Sequence, residues 1–306
     1  MKTPIAPEAI EQKPFFHIPF WLAPEADIFR IRAKRFQELA EQESTQWQEY
    51  LNLLAEICLV QQDLYNQLPD ITIEYAGDTL PLSPILIDQY TNQFDQLFNN
   101  MYLALSEHLN PTALQVWQEI LSLSSIQRQA LLKRVMQQQT ELAEQDYAIW
   151  VNAILQVVYT RAAASLNAKQ INNHNELGFC PCCGHDAIGA VIIGKGELEG
   201  LRYLYCDLCN SRWHHVRVRC SFCDHDHHLT INKIDEVKTG VLAAAEAECC
   251  PACHAYRKHY RQEKQQYADP IADDLASLTL DILLSEEGWL RGGANPFLLM
   301  EKNRTH

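Results

Sequence analysis

The chain has 306 residues and a formal net charge of −14, with 47% hydrophobic and 21% charged residues. These values predict a globular protein of about two domains with a sizeable core, and they disfavour general binding to a nucleic-acid backbone. No apolar run approaches the ~18 residues of a membrane helix. Residues 1–14 lack the apolar segment of a secretory signal. We therefore expect a soluble, cytoplasmic protein without a membrane partner.

Residues 1–171 predict an all-helical domain of about six helices, because apolar residues recur there at helical spacing. The predicted helical segments are residues 24–68, with a break near Ser44, and then 90–109, 112–121, 124–140 and 143–168. Residues 69–87 predict a connector because prolines and a glycine interrupt the pattern, and within it only residues 71–73 suggest a strand. Cys58 lies on an apolar helix face, which predicts a core position.

A polar segment at residues 172–175 predicts a domain boundary. Beyond it, short β-rich runs separated by glycines predict two small units, residues 176–218 and 219–267, each with its own strands. The predicted strands are residues 190–193, 201–205, 216–219 and 229–231. The rest of the chain, residues 268–306, predicts one amphipathic helix over 273–284 and a tail. The fold class is therefore α+β.

Ten of the eleven cysteines lie between residues 180 and 253, where eight of them form four Cys-x-x-Cys pairs. The pairs are Cys180/Cys183, Cys206/Cys209, Cys220/Cys223 and Cys250/Cys253. Two intervening residues let both thiolates of a tight turn bind one tetrahedral metal ion. In a cytoplasmic protein such clusters favour metal binding over disulfides. The pattern predicts eight ligands and two closed four-cysteine sites.

The residue after each pair supports the same interpretation. Each belongs to a type that tolerates a positive φ, as a metal-binding knuckle requires. These residues are Gly184, Asn210, Asp224 and His254. The knuckle spacing leaves Cys182 and Cys249 as extra cysteines without a ligand role. Sequential pairing of the four knuckles is the simplest arrangement, and an interleaved pairing is the alternative.

Several other polar residues could belong to functional sites, but most have simpler explanations. Residues 224–228, rich in Asp and His, predict a solvated loop rather than a further metal site, and His214 and His215 are not expected to be ligands. Asp273 and Asp274 fit the acidic start of a helix better than a catalytic pair. Three arginines either form a docking patch or offset nearby thiolate charge: Arg212, Arg217 and Arg219.

The sequence contains no recognisable nucleophile with its base, no phosphate-binding glycine loop and no open three-ligand zinc motif. We therefore do not expect an enzyme.

Several motifs in a fixed order carry a resemblance to one family. They are Cys-Pro-x-Cys-Gly at 180–184, Leu-Arg-Tyr-Leu-Tyr-Cys-x-x-Cys at 201–209, Trp-His-x-Val-Arg at 213–217, Cys-x-x-Cys-x-x-Tyr-x-Lys at 250–258, Asp-Asp-Leu-Ala at 273–276, Leu-Asp at 280–281 and Asn-Pro-Phe-Leu at 295–298. Together they resemble the formate dehydrogenase accessory protein FdhE family. The resemblance rests on specific motifs over residues 178–300. In the helical half it rests only on the helical composition and the length of that region.

The resemblance implies a helical N-terminal domain followed by two rubredoxin-like modules in which the eight knuckle cysteines bind iron, two ions per chain. Zinc is the alternative metal, because a tetrahedral S₄ site suits both. The resemblance also implies a cytoplasmic role in forming active respiratory formate dehydrogenase through contact with the catalytic subunit of that enzyme. The metal would then either exchange electrons or maintain a docking surface. The alternative function is a zinc-ribbon module that binds protein or nucleic acid.

Overall fold

The computed structural model describes residues 17–42, 45–73, 80–172, 177–226, 228–234 and 244–298. The helices in these ranges are α1 Ile28–Ala40, α2 Thr45–Gln67, α3 Ile85–Gln89, α4 Thr91–Leu105, α5 Pro111–Ser122, α6 Ser125–Met136, α7 Gln145–Ala164, α8 Pro270–Leu275 and α9 Leu278–Glu286. The strands are β1 Trp21–Leu22, β2 Ala187–Ile192, β3 Arg202–Cys206, β4 Arg212–His214, β5 Thr230–Asn232, β6 Ala245–Cys249, β7 Ala255–Arg261 and β8 Leu290–Arg291.

The helices of the first half follow the sequence pattern closely. Asn110 caps α5 by accepting a hydrogen bond from the Ala113 amide, and Ser124 forms a capping box with Gln127 at the start of α6. The predicted break near Ser44 falls between α1 and α2, although Ser44 itself lies outside the described residues. Helix α7 is apolar on all sides and buried along most of its length, so it forms the centre of the helical half.

Three short elements of this half differ from the predictions. Residues 71–73 are not assigned to a strand, and Ile71 is buried, which accounts for their apolar character. Helix α3 lies partly in the predicted connector, where Leu86 and Ile87 are buried. Strand β1 was not predicted, because two residues carry no periodic pattern and its partner, β4, is about 190 residues away in sequence.

The strands form one sheet in the order β1-β4-β3-β2-β7-β6-β5, with β8 beside β7. Strands β2, β3 and β4 form an antiparallel first ribbon, and β5, β6 and β7 form an antiparallel second ribbon. Parallel pairing of β2 with β7 joins the two ribbons through residues 190–192 and 259–261. The expectation that each cysteine unit has its own strands is met, but the units are not separate sheets.

The second half corrects three further predictions. Residues 216–219 form a turn rather than a strand, and Val216 and Val218 are 48% and 65% exposed. The predicted helix over 273–284 is two helices, α8 and α9, with Ser277 between them. Strands β6 and β7 were missed because their sequences are rich in charged residues. Those side chains are buried as ion pairs, such as Glu246 with Arg261 at 2.7 Å between Oε1 and Nε.

The helical half and the first ribbon share one hydrophobic core, which includes the cysteines of the first two pairs. The second ribbon has a smaller core of its own against α9, formed by Ala247, Cys249, Tyr256, Leu280 and Leu284. Helix α8 links the two regions, because Ile271 and Ala272 lie in the shared core while α8 also contacts β7.

The C-terminal segment, residues 289–298, connects the second ribbon to the helices. The Leu290 amide donates to the His254 carbonyl, and the Gly292 amide donates to the Tyr256 carbonyl. At its other end the buried Phe297 packs edge-on against Phe36 of α1. The segment therefore ties a cysteine knuckle to the helical core.

Gly292 is required by a close approach within this segment. A Cβ at Gly292 would lie 1.9 Å from Cζ of Phe222, a ring held on another side by Arg257. We expect Gly292→Ala to lower the free energy of unfolding by about 1–3 kcal/mol, because the ring must move in a packed environment. Urea unfolding of the single variants and of the Gly292→Ala/Phe222→Leu double variant tests the contact. Additive losses in the double variant would show that Phe222 is not the cause.

Candidate metal centres

The four Cys-x-x-Cys turns share one backbone geometry. The residue after each pair has a positive φ: 77° at Gly184, 56° at Asn210, 60° at Asp224 and 55° at His254. The first cysteine of each turn donates its amide to the carbonyl five residues later, at distances of 2.8–3.0 Å. Amides also point at thiol sulfurs, as from Cys182 to Cys180, from Cys209 to Cys206 and from Phe222 to Cys220, each at 3.4 Å. The four knuckles therefore share one geometry, as the residues after each pair predicted.

The thiols form two groups, in each of which the sulfur atoms lie within 4.8 Å of one another. The first cluster is Cys180, Cys183, Cys206 and Cys209, and the second cluster is Cys220, Cys223, Cys250 and Cys253. Knuckles that follow one another in sequence therefore come together, which is the sequential pairing and not the interleaved one. Each cluster lies at one end of its own ribbon, where turns bring the thiols together.

The distances between sulfurs fit a shared cation. In the first cluster the Sγ atoms of Cys180 and Cys209 are 3.5 Å apart, and those of Cys183 and Cys206 are 3.4 Å apart. In the second cluster the Sγ atoms of Cys220 and Cys253 are 3.8 Å apart, and those of Cys223 and Cys250 are 3.7 Å apart. All are far longer than a disulfide bond of about 2.05 Å. They are close to the edge of about 3.8 Å of a tetrahedron with ~2.3 Å metal–sulfur bonds.

The electrostatics of the first cluster also fit a metal. Burial raises the pKa of the Cys180, Cys183 and Cys206 thiols well above their ordinary value. At Cys209 burial acts in the same direction, but hydrogen bonds from the other cysteines outweigh it and lower the pKa. Burial thus opposes thiolate charge in this cluster unless a cation offsets it. A bound metal ion would offset the charge of all four thiolates.

Polar contacts from three helices hold the first cluster. The Asn210 side chain donates to Thr160 Oγ1 of α7 at 2.7 Å and accepts from Arg32 Nη2 of α1 at 2.6 Å. The His185 ring bonds to Asp207 at 2.9 Å and, at the end of α6, to the Met136 carbonyl at 2.5 Å. These contacts were not predicted from sequence, because their partners are far apart in the chain.

Arg32 is the central residue among the contacts that join α1 to the first cluster. Its guanidinium donates to both carboxylate oxygens of Asp269 at 3.1 Å and to the Tyr205 hydroxyl at 3.1 Å. The side chains of Arg32 and Asp269 are at most 3% exposed. Asp269 in turn caps α8 by accepting the Ile271 and Ala272 amides. Helix α1, the first cluster and α8 are thus joined through one buried ion pair.

The extra cysteines, Cys182 and Cys249, belong to neither four-cysteine cluster. Cys182 Sγ is 3.5 Å from the Ser211 hydroxyl, and Asn232 Nδ2 is 3.5 Å from Cys249 Sγ. Burial raises the pKa of the Cys249 thiol to about 12 and likewise that of Cys58 to about 12. The Cys249 and Cys58 thiols therefore remain protonated near neutral pH, and Cys58 is a core residue as predicted.

Asp273 and Asp274 are buried in ion pairs. Asp273 Oδ1 lies 2.6 Å from Arg35 Nη2, and Asp274 contacts Lys258 at 2.8 Å and Arg291 at 2.5 Å. Burial raises the pKa of Asp273 to about 6, whereas at Asp274 the two cations outweigh burial and hold the pKa at about 2. Both carboxylates anchor α8 to its surroundings.

The remaining candidates are scattered over the surface. Arg212 pairs with Glu25 at 2.8 Å, and Arg219 pairs with Asp224 at 2.5 Å, whereas Arg217 is exposed and bonds to the Gly200 carbonyl. Residues 224–226 and 228 belong to neither cysteine cluster and form no further candidate metal cluster with other described residues. His227 lies outside the described residues. None of the described helices has both the length and the apolar composition for crossing a bilayer.

Comparison with known proteins extends the resemblance to nearly the whole chain. Three family models match in succession: "FdhE, N-terminal" over residues 18–176, "FdhE, central domain" over 179–217 and "FdhE, C-terminal domain" over 218–298. A crystal structure of the FdhE protein from Pseudomonas aeruginosa superposes with a TM-score of 0.80 at 28% identity, and the match covers 92% of this chain and 99% of that one.

Curated relatives agree with the family models. A "Protein FdhE homolog" from Pseudomonas putida is 32% identical, with 93% of this chain and 90% of the relative covered. One from Haemophilus influenzae is 31% identical, with 89% and 88% covered. Because the N-terminal model alone spans just over half of the residues and the relatives match almost from end to end, the chain belongs to the FdhE family.

Proposed function

We propose that this protein is a cytoplasmic, non-enzymatic accessory protein needed for the formation of active respiratory formate dehydrogenase. It acts by binding the catalytic subunit of that enzyme. The observation that carries the proposal is the pair of four-cysteine clusters in a chain that matches the FdhE family over nearly its full length. In addition, Asp273 and Asp274, the carboxylates first weighed as catalytic, are anchored in buried ion pairs.

The eight clustered cysteines are the proposed ligands of two iron ions per chain. A tetrahedral S₄ site suits iron and zinc equally, so the preference for iron rests on the family. The knuckles, with amides directed at sulfur and a positive φ after each pair, support the description of each ribbon as a rubredoxin-like module. Iron in such sites would supply one-electron chemistry, and either metal would supply structural stability.

The proposed division of the chain is residues 1–171, 176–218, 219–267 and 268–306. The change from helices to strands after α7 supports the first boundary. The junction of the central and C-terminal family models at residues 217 and 218 supports the second. Proteolysis of the metal-loaded protein, followed by mass analysis of the fragments, tests whether these boundaries are the accessible ones.

Metal content is the first test. Protein purified without air is expected to contain two metal ions per chain by elemental analysis, because the structure holds two complete thiol sets. The elemental analysis distinguishes iron from zinc, and red colour with visible absorption after oxidation would identify ferric iron. A value near zero would refute the metal assignment.

Loss of the protein should remove respiratory formate dehydrogenase activity. We expect a deletion strain to lose most formate-dependent dye reduction while still making the catalytic polypeptide, because an accessory protein acts after synthesis. The purified protein should also bind the catalytic subunit directly. Full dye reduction in the deletion strain, together with no complex between the purified proteins, would refute the proposal and favour the zinc-ribbon alternative.

Charge reversal can locate the contact surface. The turn at residues 216–219 exposes two valines and Arg217 beside the second cluster, and this combination suits an acidic partner surface with apolar residues. Arg217→Glu is expected to weaken binding of the catalytic subunit while both metal ions stay bound. Arg30→Glu, at an exposed site on α1, is the control and should leave binding unchanged. Equal effects of the two changes would exclude this turn as the contact.

A further inference from the structure

The two clusters differ sharply in their access to solvent. All four cysteines of the first cluster are buried, at 5% exposure or less. In the second cluster Cys220 and Cys250 are buried, but Cys223 is exposed and Cys253 is half-buried. Identical ligand sets with the same knuckle geometry are thus placed in two different environments.

The enclosure of the first cluster depends on the helical half. Its cysteines belong to the shared core, and Asn210 of its second knuckle is bonded to both α1 and α7. The Leu82 amide donates to the Cys182 carbonyl and covers the first knuckle. A reagent can reach these thiols only if helices separate from the sheet, which requires opening of the main core.

The second cluster has no comparable cover among the described residues. Its cysteines are absent from the shared core. Two of its knuckles contact the C-terminal segment instead: the Phe222 ring lies against Gly292, and His254 lies beside Trp289 at 5.9 Å between ring centroids. The exposed turn at residues 216–219 leads directly into Cys220. Local opening of a knuckle is enough to reach this site.

We propose that the two metal sites have different roles: the first is a closed structural tie between the helices and the sheet, and the second is an accessible, exchangeable site. The class of ligand that reaches the second site is a soft thiolate or nitrogen chelator, which would attack at the metal beside Cys223. The inference rests on the proposed metal binding and adds to it a division of labour between the clusters.

Timed metal release is the test. The metal content is first measured, and the loaded protein is then mixed with excess 4-(2-pyridylazo)resorcinol. We expect one equivalent to leave at least about tenfold faster than the other, because only the slow one requires opening of the main core. Alkylation with iodoacetamide, mapped by mass spectrometry, should modify Cys223 and Cys253 before any cysteine of the first cluster.

Two variants assign the phases. Cys253→Ser should remove the fast equivalent and keep the slow one, whereas Cys249→Ser, a neighbouring cysteine outside the cluster, should keep both. Thr160→Val removes the α7 partner of Asn210 and should accelerate only the slow phase.

The outcomes separate the two proposals. Two ions that leave at one rate, or first alkylation at Cys180 or Cys206, would overturn the division of roles while leaving metal binding intact. A starting content near zero would overturn metal binding itself, and the division with it. A single bound ion, with the second cluster alkylated and the first protected, is the limiting case of the expected asymmetry; the reverse pattern would overturn it.

Discussion

Cys183→Ser is expected to abolish metal binding at the first cluster and to leave the protein largely insoluble. Cys183 supplies one of four buried thiols that the helices enclose. Metal binding by a structural site is folding free energy, on the order of 10 kcal/mol in zinc-finger peptides, which is comparable to the net stability of a whole domain. Elemental analysis of the soluble fraction and near-ultraviolet circular dichroism measure the loss.

The neighbouring Cys182 is a matched control, since it is also buried and the substitution is the same. Its sulfur contacts the Ser211 hydroxyl and is not one of the four clustered thiols, so Cys182→Ser should retain two metal ions. Its cost should not exceed about 1–3 kcal/mol, the penalty for a buried hydroxyl that is poorly paired. If both changes removed the metal equally, the assignment of Cys183 rather than Cys182 as the ligand would be wrong.

The second cluster allows the same comparison with a smaller expected effect. Cys250→Ser should release one ion but leave the helical half folded, because the second ribbon has its own small core. Cys249→Ser should retain both ions. The contrast between Cys183 and Cys250 would also show which cluster the main core depends on.

The cysteine sites could be predicted from sequence because their geometry is local. A knuckle is defined within about six residues by its spacing and by the need for a positive φ, and Gly184, Asn210, Asp224 and His254 meet that need in the structure. Helices α4 to α7 were predictable for a similar reason, since apolar periodicity and caps such as Ser124 are properties of short segments.

Features that depend on distant partners could not be predicted. Strands β6 and β7 carry charged residues whose partners lie on other segments of the chain, as Glu246 pairs with His259 and Arg261 across the ladder. The parallel pairing of β2 with β7 joins segments about 70 residues apart. Conversely, residues 216–219 alternate in the manner of a strand, but no neighbouring strand pairs with them in the described structure, and they form a turn.

The ion pair between Arg32 and Asp269 is another contact of this kind, spanning 237 residues. The guanidinium of Arg32 is fully buried and donates hydrogen bonds to Asp269, Tyr205 and Asn210. Removing one partner of a buried pair leaves the other charge uncompensated, at a cost of about 3–5 kcal/mol. This pair also positions the second knuckle of the first cluster, so its loss should affect both stability and metal retention.

We therefore expect Arg32→Met to lower the free energy of unfolding of the metal-loaded protein by about 3–5 kcal/mol, measured by urea denaturation. Arg30→Met on the same helix is the control: Arg30 is 66% exposed in its pair with Asp27, and such pairs contribute at most about 1 kcal/mol. Arg32→Met/Asp269→Asn should recover part of the loss, because asparagine removes the orphaned charge and retains an oxygen for capping α8. Equal losses for Arg32→Met and Arg30→Met would show that the buried pair does not tie α1 to the first cluster.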